Sequence, residues 1–192
     1  MAEKLKKRIQ EIQARLKARP ETAMVTITAT SRVVDSEGWL SEIKVRDHIL
    51  TCDLPLSFAG TDRGPKPTEF VLVGLATCHE VTYRVVAESL GIPLDGVSVA
   101  VTGVSDARGF IGLDTRVRPG FLEVRGTVTL DTPASDADVE RLRQMVEKHC
   151  PVLDALRNPV PVTMEVVNAR ALRDSTQSAQ PIPPCRTGSP AR

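Results

Sequence analysis

Gly64-Pro65-Lys66-Pro67-Thr68-Glu69-Phe70-Val71-Leu72-Val73-Gly74-Leu75-Ala76-Thr77-Cys78-His79 is the stretch that decides the fold. A Gly/Pro turn leads into Pro67. Thr68 is placed to cap a helix, and Glu69 lies in the first turn, where the positive helix end favours an acid. From Phe70 to Thr77 no residue is charged. A helix that is apolar all round must be enclosed rather than laid on a surface. Cys78, at the end of that run, is therefore carried into a domain interior or a subunit interface. The helix continues through Val81–Leu90 and stops at Gly91, a glycine suited to the left-handed cap, with Pro93 just beyond.

On the N-terminal side, Met24–Thr30 alternates Val25, Ile27 and Ala29 with Thr26, Thr28 and Thr30, a strand pattern. Asp35-Ser36-Glu37-Gly38 is a turn. Trp39 and Glu42–Arg46 make a second strand and His48–Asp53 a third, after a break at Asp47. Still earlier, Leu5, Ile9, Ile12 and Leu16 recur at helical spacing among Lys and Arg. Residues 1–22 are thus an amphipathic helix that needs something to pack on.

On the C-terminal side, Val97–Val104 alternates as a strand, residues 105–120 form a Gly/Asp/Pro-rich excursion, and Phe121–Leu130 is another strand. Thr132 or Ser135 caps a helix over Asp136–His149, with Val139, Leu142 and Val146 inward. Pro151 disfavours helix at Cys150 and ends it. A helical turn at Val152–Leu156 and a last strand at Val160–Val167 complete a domain over residues 23–169. Residues 170–192 are polar, Pro-rich and read as a disordered tail. Strands grouped in runs indicate an α+β fold, a mostly antiparallel sheet with two long helices on one side.

Composition narrows the function. Seven Lys/Arg against two Glu give residues 1–20 a charge of +5, so the rest sums to −4 in a chain of net charge +1. A mildly acidic body does not read as a nucleic-acid binder. No apolar run approaches a membrane span, and residues 1–20 lack the apolar core of a signal peptide. The expectation is a cytoplasmic protein with no nucleic-acid or membrane partner. With four cysteines and no CxxC, a disulfide scaffold is excluded, and thiols are the default state in a reducing compartment.

Cys78 and Cys150 stand 72 residues apart, one in the apolar helix and one at the end of the other long helix. If those helices pack together, the sulfurs can meet, which requires Cα atoms within about 7 Å. A thiolate that attacks an electrophilic oxygen becomes a sulfenic acid, and a second thiol condenses with it to a disulfide. The alternative is that both are small hydrophobes in a core. A Cys₂His₂ zinc site with His79 and His149 is disfavoured, because adjacent helical residues diverge by about 100°. No metal or cofactor is expected. Cys52 and Cys185 lack partner motifs, and Asp106 and Arg108 read as shaping the turn at Gly109.

Val45-Arg46-Asp47-His48, Gly60–Glu69 and Leu75-Ala76-Thr77-Cys78 resemble the OsmC/Ohr superfamily, the osmotically inducible and organic hydroperoxide resistance proteins. Ser105–Gly109, Arg118–Phe121 and Val146–Val152 continue the resemblance in order, over roughly residues 24–167. It implies an OsmC-like fold in an intertwined homodimer with the long helices at its centre. It also implies a thiol peroxidase acting on organic hydroperoxides or hydrogen peroxide, with an external dithiol reductant. Cys78 is then peroxidatic and Cys150 resolving.

The resemblance also implies a catalytic Arg from the first strands, with Arg32 the nearest match and Arg46 the second. In the peroxidase branches a Glu follows the proline directly; here Thr68 stands there and Glu69 comes one later. The pattern is closer to the OsmC-like branch, which keeps a dimeric small-molecule or lipid binder as the alternative. A buried thiol well past the first helical turn gains little from the helix end and needs a cation to ionise.

Overall fold

The computed structural model describes residues 2–168. Helix α1 (Ala2–Ala18) opens the chain and is followed by a 3₁₀ turn at Pro20–Ala23. Strands β1 (Ala29–Val33), β2 (Ser41–Val45) and β3 (His48–Cys52) form an antiparallel three-stranded sheet in chain order. Helix α2 (Pro67–Leu90) is followed by β4 (Gly96–Ser105), the short α3 (Ala107–Phe110) and β5 (Phe121–Asp131). Helices α4 (Asp136–His149) and α5 (Pro151–Arg157) complete the elements among the described residues. This is the α+β arrangement the strand grouping predicts.

Three expectations are corrected. Among the described residues there are two sheets rather than one: β4 and β5 pair with each other in a long antiparallel ribbon with a bulge at Val104/Ser105. Residues 24–28 carry no strand pairing, so the first strand begins at Ala29. Val160–Val167 runs without strand pairing. Alternation supplies a strand with two faces, but a strand also needs a neighbour for its N–H and C=O groups. The polar tail and Cys185 lie outside the described residues. Among the described residues, those up to Pro159 form one compact unit, and those from Val160 belong to a second.

Helix α2 starts one residue before Thr68. Pro67 occupies its first position, where a missing N–H is no loss, and Lys66 is the cap residue. Glu69, at the third position, accepts the Lys66 amide at 3.0 Å. Gly91 ends the helix at φ 68°, as a residue without Cβ does readily. The loop ahead of α2 is gathered on Asp53, only 1% exposed, whose carboxylate accepts from the amides of Leu54, Thr61 and Arg63 and from the Thr61 hydroxyl.

The core lies where α2, α4 and the β4–β5 ribbon meet. Tyr83, Val86, Ala87 and Ile92 pack against Leu142 and Val146, with Val97, Val128 and Leu130 beneath. Leu142 and Val146 are fully buried, each contributing about 1.5–3 kcal/mol by leaving water. Another face of α2 is open: Val71, Val73, Val81 and Val85 remain exposed. By length and composition alone α2 is apolar enough to cross a membrane, which corrects the expectation that no segment is. The Glu80–Arg84 pair interrupts the apolar run but stays within what such a span tolerates. A buried core helix has the same composition, and within this unit α2 packs against α4, α5 and β4.

Candidate functional site

Cys78 lies about midway along the long α2, half-buried. One turn on, the Thr82 hydroxyl donates to the Cys78 carbonyl at 2.7 Å, fixing the local turn. Cys150 is the residue between α4 and α5: it caps the C-terminus of one and the N-terminus of the other. Its amide donates to Val146 at 2.9 Å and its carbonyl accepts from Asp154 at 3.0 Å. Pro151 forces the change of direction there, because it starts α5 while disfavouring helix at the residue before it.

Packing of α2 on α4 brings the two sulfurs to 3.5 Å, with the Cys150 thiol donating to Cys78. The cysteines that sequence spacing singled out are therefore in contact. Cys150 is wholly buried. Burial pushes its thiol pKa up, while the Leu153 amide and, less strongly, the Thr82 hydroxyl pull the other way; the neighbouring Cys78 adds to the rise.

The other expected residues are not brought to the pair. Glu69 sits nine residues before Cys78, about 14 Å along the helix axis, and acts as the reciprocal cap of α2. Arg32 on β1 is exposed and held by Glu42 on β2 at 2.9 Å. Arg46 lies in the β2–β3 turn at φ 55°. Among the described residues no ion pair or hydrogen bond joins either arginine to Cys78. His149 turns away, its Nδ1 on the Met145 carbonyl at 2.7 Å. Asp106 caps α3 and binds Arg108, as the turn reading expects, and Gly109 backs onto the Val117 and Arg118 carbonyls where no Cβ fits. Cys52 is buried beside Asp53; burial, then that carboxylate, push its thiol up.

His79, weighed from sequence as a zinc ligand and set aside, is the residue that joins the pair. Its Nδ1 lies 3.2 Å from Cys150 Sγ, so the residue next to one cysteine touches the other. Leu75, His79, Tyr83 and Ala87 recur every four residues, and Leu75, Tyr83 and Ala87 are buried. That row would have placed His79 on the α4-facing side. Burial holds the His79 pKa below the ordinary value; Glu147 works against this and Arg157 reinforces it.

His79 also lines a cleft of about 860 Å³ between α2, α4, α5 and the β4–β5 ribbon. Its floor is apolar, with Val99, Val101 and Val128, and its rim carries Arg118, Arg143 and Arg157. That volume falls within the range of small-molecule sites. Among the described residues no cluster of three or more His, Cys, Asp or Glu is poised around a metal position.

No curated protein matches the chain. Solved structures do. An OsmC-like protein from Mycoplasma pneumoniae superposes with a TM-score of 0.61 at 21% identity, covering 70% of this chain and 89% of that one. A Legionella pneumophila structure described as an organic hydroperoxide resistance protein OsmC gives 0.55 at 22%, covering 70% and 91%. An OsmC-like protein of unknown function from Vibrio cholerae gives 0.56 at 9%, covering 69% and 94%. At these identities the likeness is one of fold. The family model described as OsmC-like protein matches residues 60–165, a span that holds Cys78, His79 and Cys150 but begins after Arg32 and Arg46. With more than half its length matched, this chain belongs to the OsmC-like family.

Proposed function

We propose that the chain is a thiol-dependent peroxidase for organic hydroperoxides or hydrogen peroxide. The observation that carries this reading is the 3.5 Å contact between a half-buried Cys78 and a wholly buried Cys150. Cys78, the more accessible sulfur, attacks the outer peroxide oxygen as thiolate. The O–O bond breaks, the alcohol or water leaves, and Cys78 becomes a sulfenic acid. Cys150 then condenses with it, water departs, and an external dithiol reduces the disulfide by exchange.

A buried thiol needs a cation to ionise, and among the described residues none is hydrogen-bonded to Cys78. The exposed Val71, Val73, Val81 and Val85 on α2 support a homodimer in which a second copy covers that face. In the same reading, Arg32 or Arg46 reaches the thiol once the dimer forms. Family membership and the hydroperoxide resistance description of the Legionella structure support the substrate class. Cytoplasmic location, where thiols stay reduced between turnovers, belongs to the same proposal.

Peroxide consumption with dithiothreitol tests the reading. Turnover is expected in the wild type and absent in Cys78→Ser, with a 78–150 disulfide found by peptide mapping. No turnover with hydrogen peroxide, tert-butyl hydroperoxide or cumene hydroperoxide refutes it. That result would favour the second reading, a small-molecule or lipid binder, which the 860 Å³ cleft supports.

A further inference from the structure

Cys150 faces a chemical difficulty that its surroundings answer. As the resolving residue it must give up its thiol proton while fully buried, where burial favours the protonated form. No cation is hydrogen-bonded to it among the described residues. Its sulfur has a ring nitrogen beside it instead, Nδ1 of His79 at 3.2 Å. We propose that His79 is the general base of the resolving step, its Nδ1 taking the Cys150 thiol proton as that sulfur attacks Cys78. This deepens the peroxidase reading and rests on it.

Three observations converge. The contact lies within the reach required of a general base, and it joins helix α2 to the junction of α4 and α5. The imidazole lies against the Tyr83 ring and shares the cleft with Arg143 and Glu147 on α4, Arg157 on α5, and Arg118 and Glu123 from the other wall, and of these Glu147 and Arg157 act on its charge. Burial outweighs Glu147 here and holds the imidazole below its ordinary pKa, which favours the neutral ring that a base must be. Finally, His79 lines the cleft, so a proton received from a closed site has a route to solvent.

The step balances as follows. The Cys150 S–H bond breaks and its proton goes to His79 Nδ1. The sulfur lone pair forms the S–S bond to Cys78 while the S–O bond of the sulfenic acid breaks. The departing hydroxide takes a proton from water in the cleft and leaves as water. The imidazolium returns its proton to solvent, so the sum is sulfenic acid plus thiol giving disulfide plus water.

Full-length reduced protein carrying Cys185→Ser is treated with one equivalent of 5,5′-dithiobis(2-nitrobenzoate). Cys78 releases one thionitrobenzoate and holds the other as a mixed disulfide; Cys150 then displaces the second. The readout is the ratio of second to first release rates, followed from pH 6 to 9. With His79 as base, the second release reaches a plateau once the imidazole is neutral. In His79→Asn, and in His79→Gln as an independent variant, the ratio falls about a hundredfold at pH 7. In both, the second release climbs with pH throughout instead of levelling. A ratio and profile unchanged from wild type in whichever variant keeps the native far-UV spectrum overturns the proposal. The chemistry uses no peroxide, so the two readings fail separately. His79-dependent release in a protein inert to peroxide refutes the peroxidase and keeps the base; turnover with His79-independent release does the reverse.

Discussion

Joining Cys78 to Cys150 should stabilise the protein measurably, because the resting packing already holds the sulfurs 3.5 Å apart. The bond would close a loop of 72 residues. Restricting the unfolded chain by a loop of that length is worth about 4 kcal/mol, an upper figure from which native strain subtracts. For a domain of this size each kcal/mol moves the melting temperature by about 2–4 °C, so the oxidised form should melt roughly 8–16 °C higher. The assay compares diamide-oxidised and dithiothreitol-reduced protein at one fixed concentration, with the disulfide mapped in each sample. Cys150→Ser, treated identically, should show no difference between the two conditions. A mapped 78–150 disulfide with unchanged or lowered stability would refute the reasoning, since it would mean the helices must separate before the bond forms.

The open face of α2 makes Val81→Asp a test of the homodimer. The substitution should shift the mass measured by light scattering from two copies to one, and a mass unchanged by it refutes a dimer across that face. Asp53 makes a prediction about acid. The Thr61 hydroxyl foremost, with the Arg63, Leu54 and Thr61 amides, holds its carboxyl below the ordinary carboxylate value, against the opposing pull of burial. The unfolded chain therefore takes up the proton first. The stability this group contributes is complete above about pH 3.9 and is lost as pH falls through the lower folded value. Titration of the Asp53 carboxyl by NMR should give a midpoint under 3.9, and one at or above it refutes the arrangement.

Local signals in the chain were legible where they carry their own stop marks. Asp136–His149 is bounded by Ser135 and Pro151, and α2 ends at Gly91, because caps and prolines act within one turn of the residues they punctuate. Pairing was not legible. Met24–Thr28 and Val160–Val167 alternate as strands do, yet neither finds a ladder, since alternation fixes faces and says nothing of neighbours. The apolar run Phe70–Thr77 announced that α2 would be enclosed but could not divide its faces between the protomer's own core and an outside surface. At the site, the meeting of Cys78 and Cys150 was legible only as a condition, that the two long helices share a side. The arginines did not follow, because hairpin side chains such as Arg32 have no periodicity that ties them to a distant helix. His79 was readable only as part of the row Leu75, His79, Tyr83, Ala87, and its neighbour Cys78 drew the reading to the adjacent row instead.

Cys150 has its amide committed to α4 and its carbonyl to α5, so its sulfur is mounted on a joint that does not wander. Two thiols fixed in this way present each other at an effective concentration far above that of any dissolved thiol. Every sulfenic or mixed-disulfide form of Cys78 therefore has its competitor built in. Adducts with small cellular thiols should be short-lived on this chain, and over-oxidation must outrun a partner that is already in place.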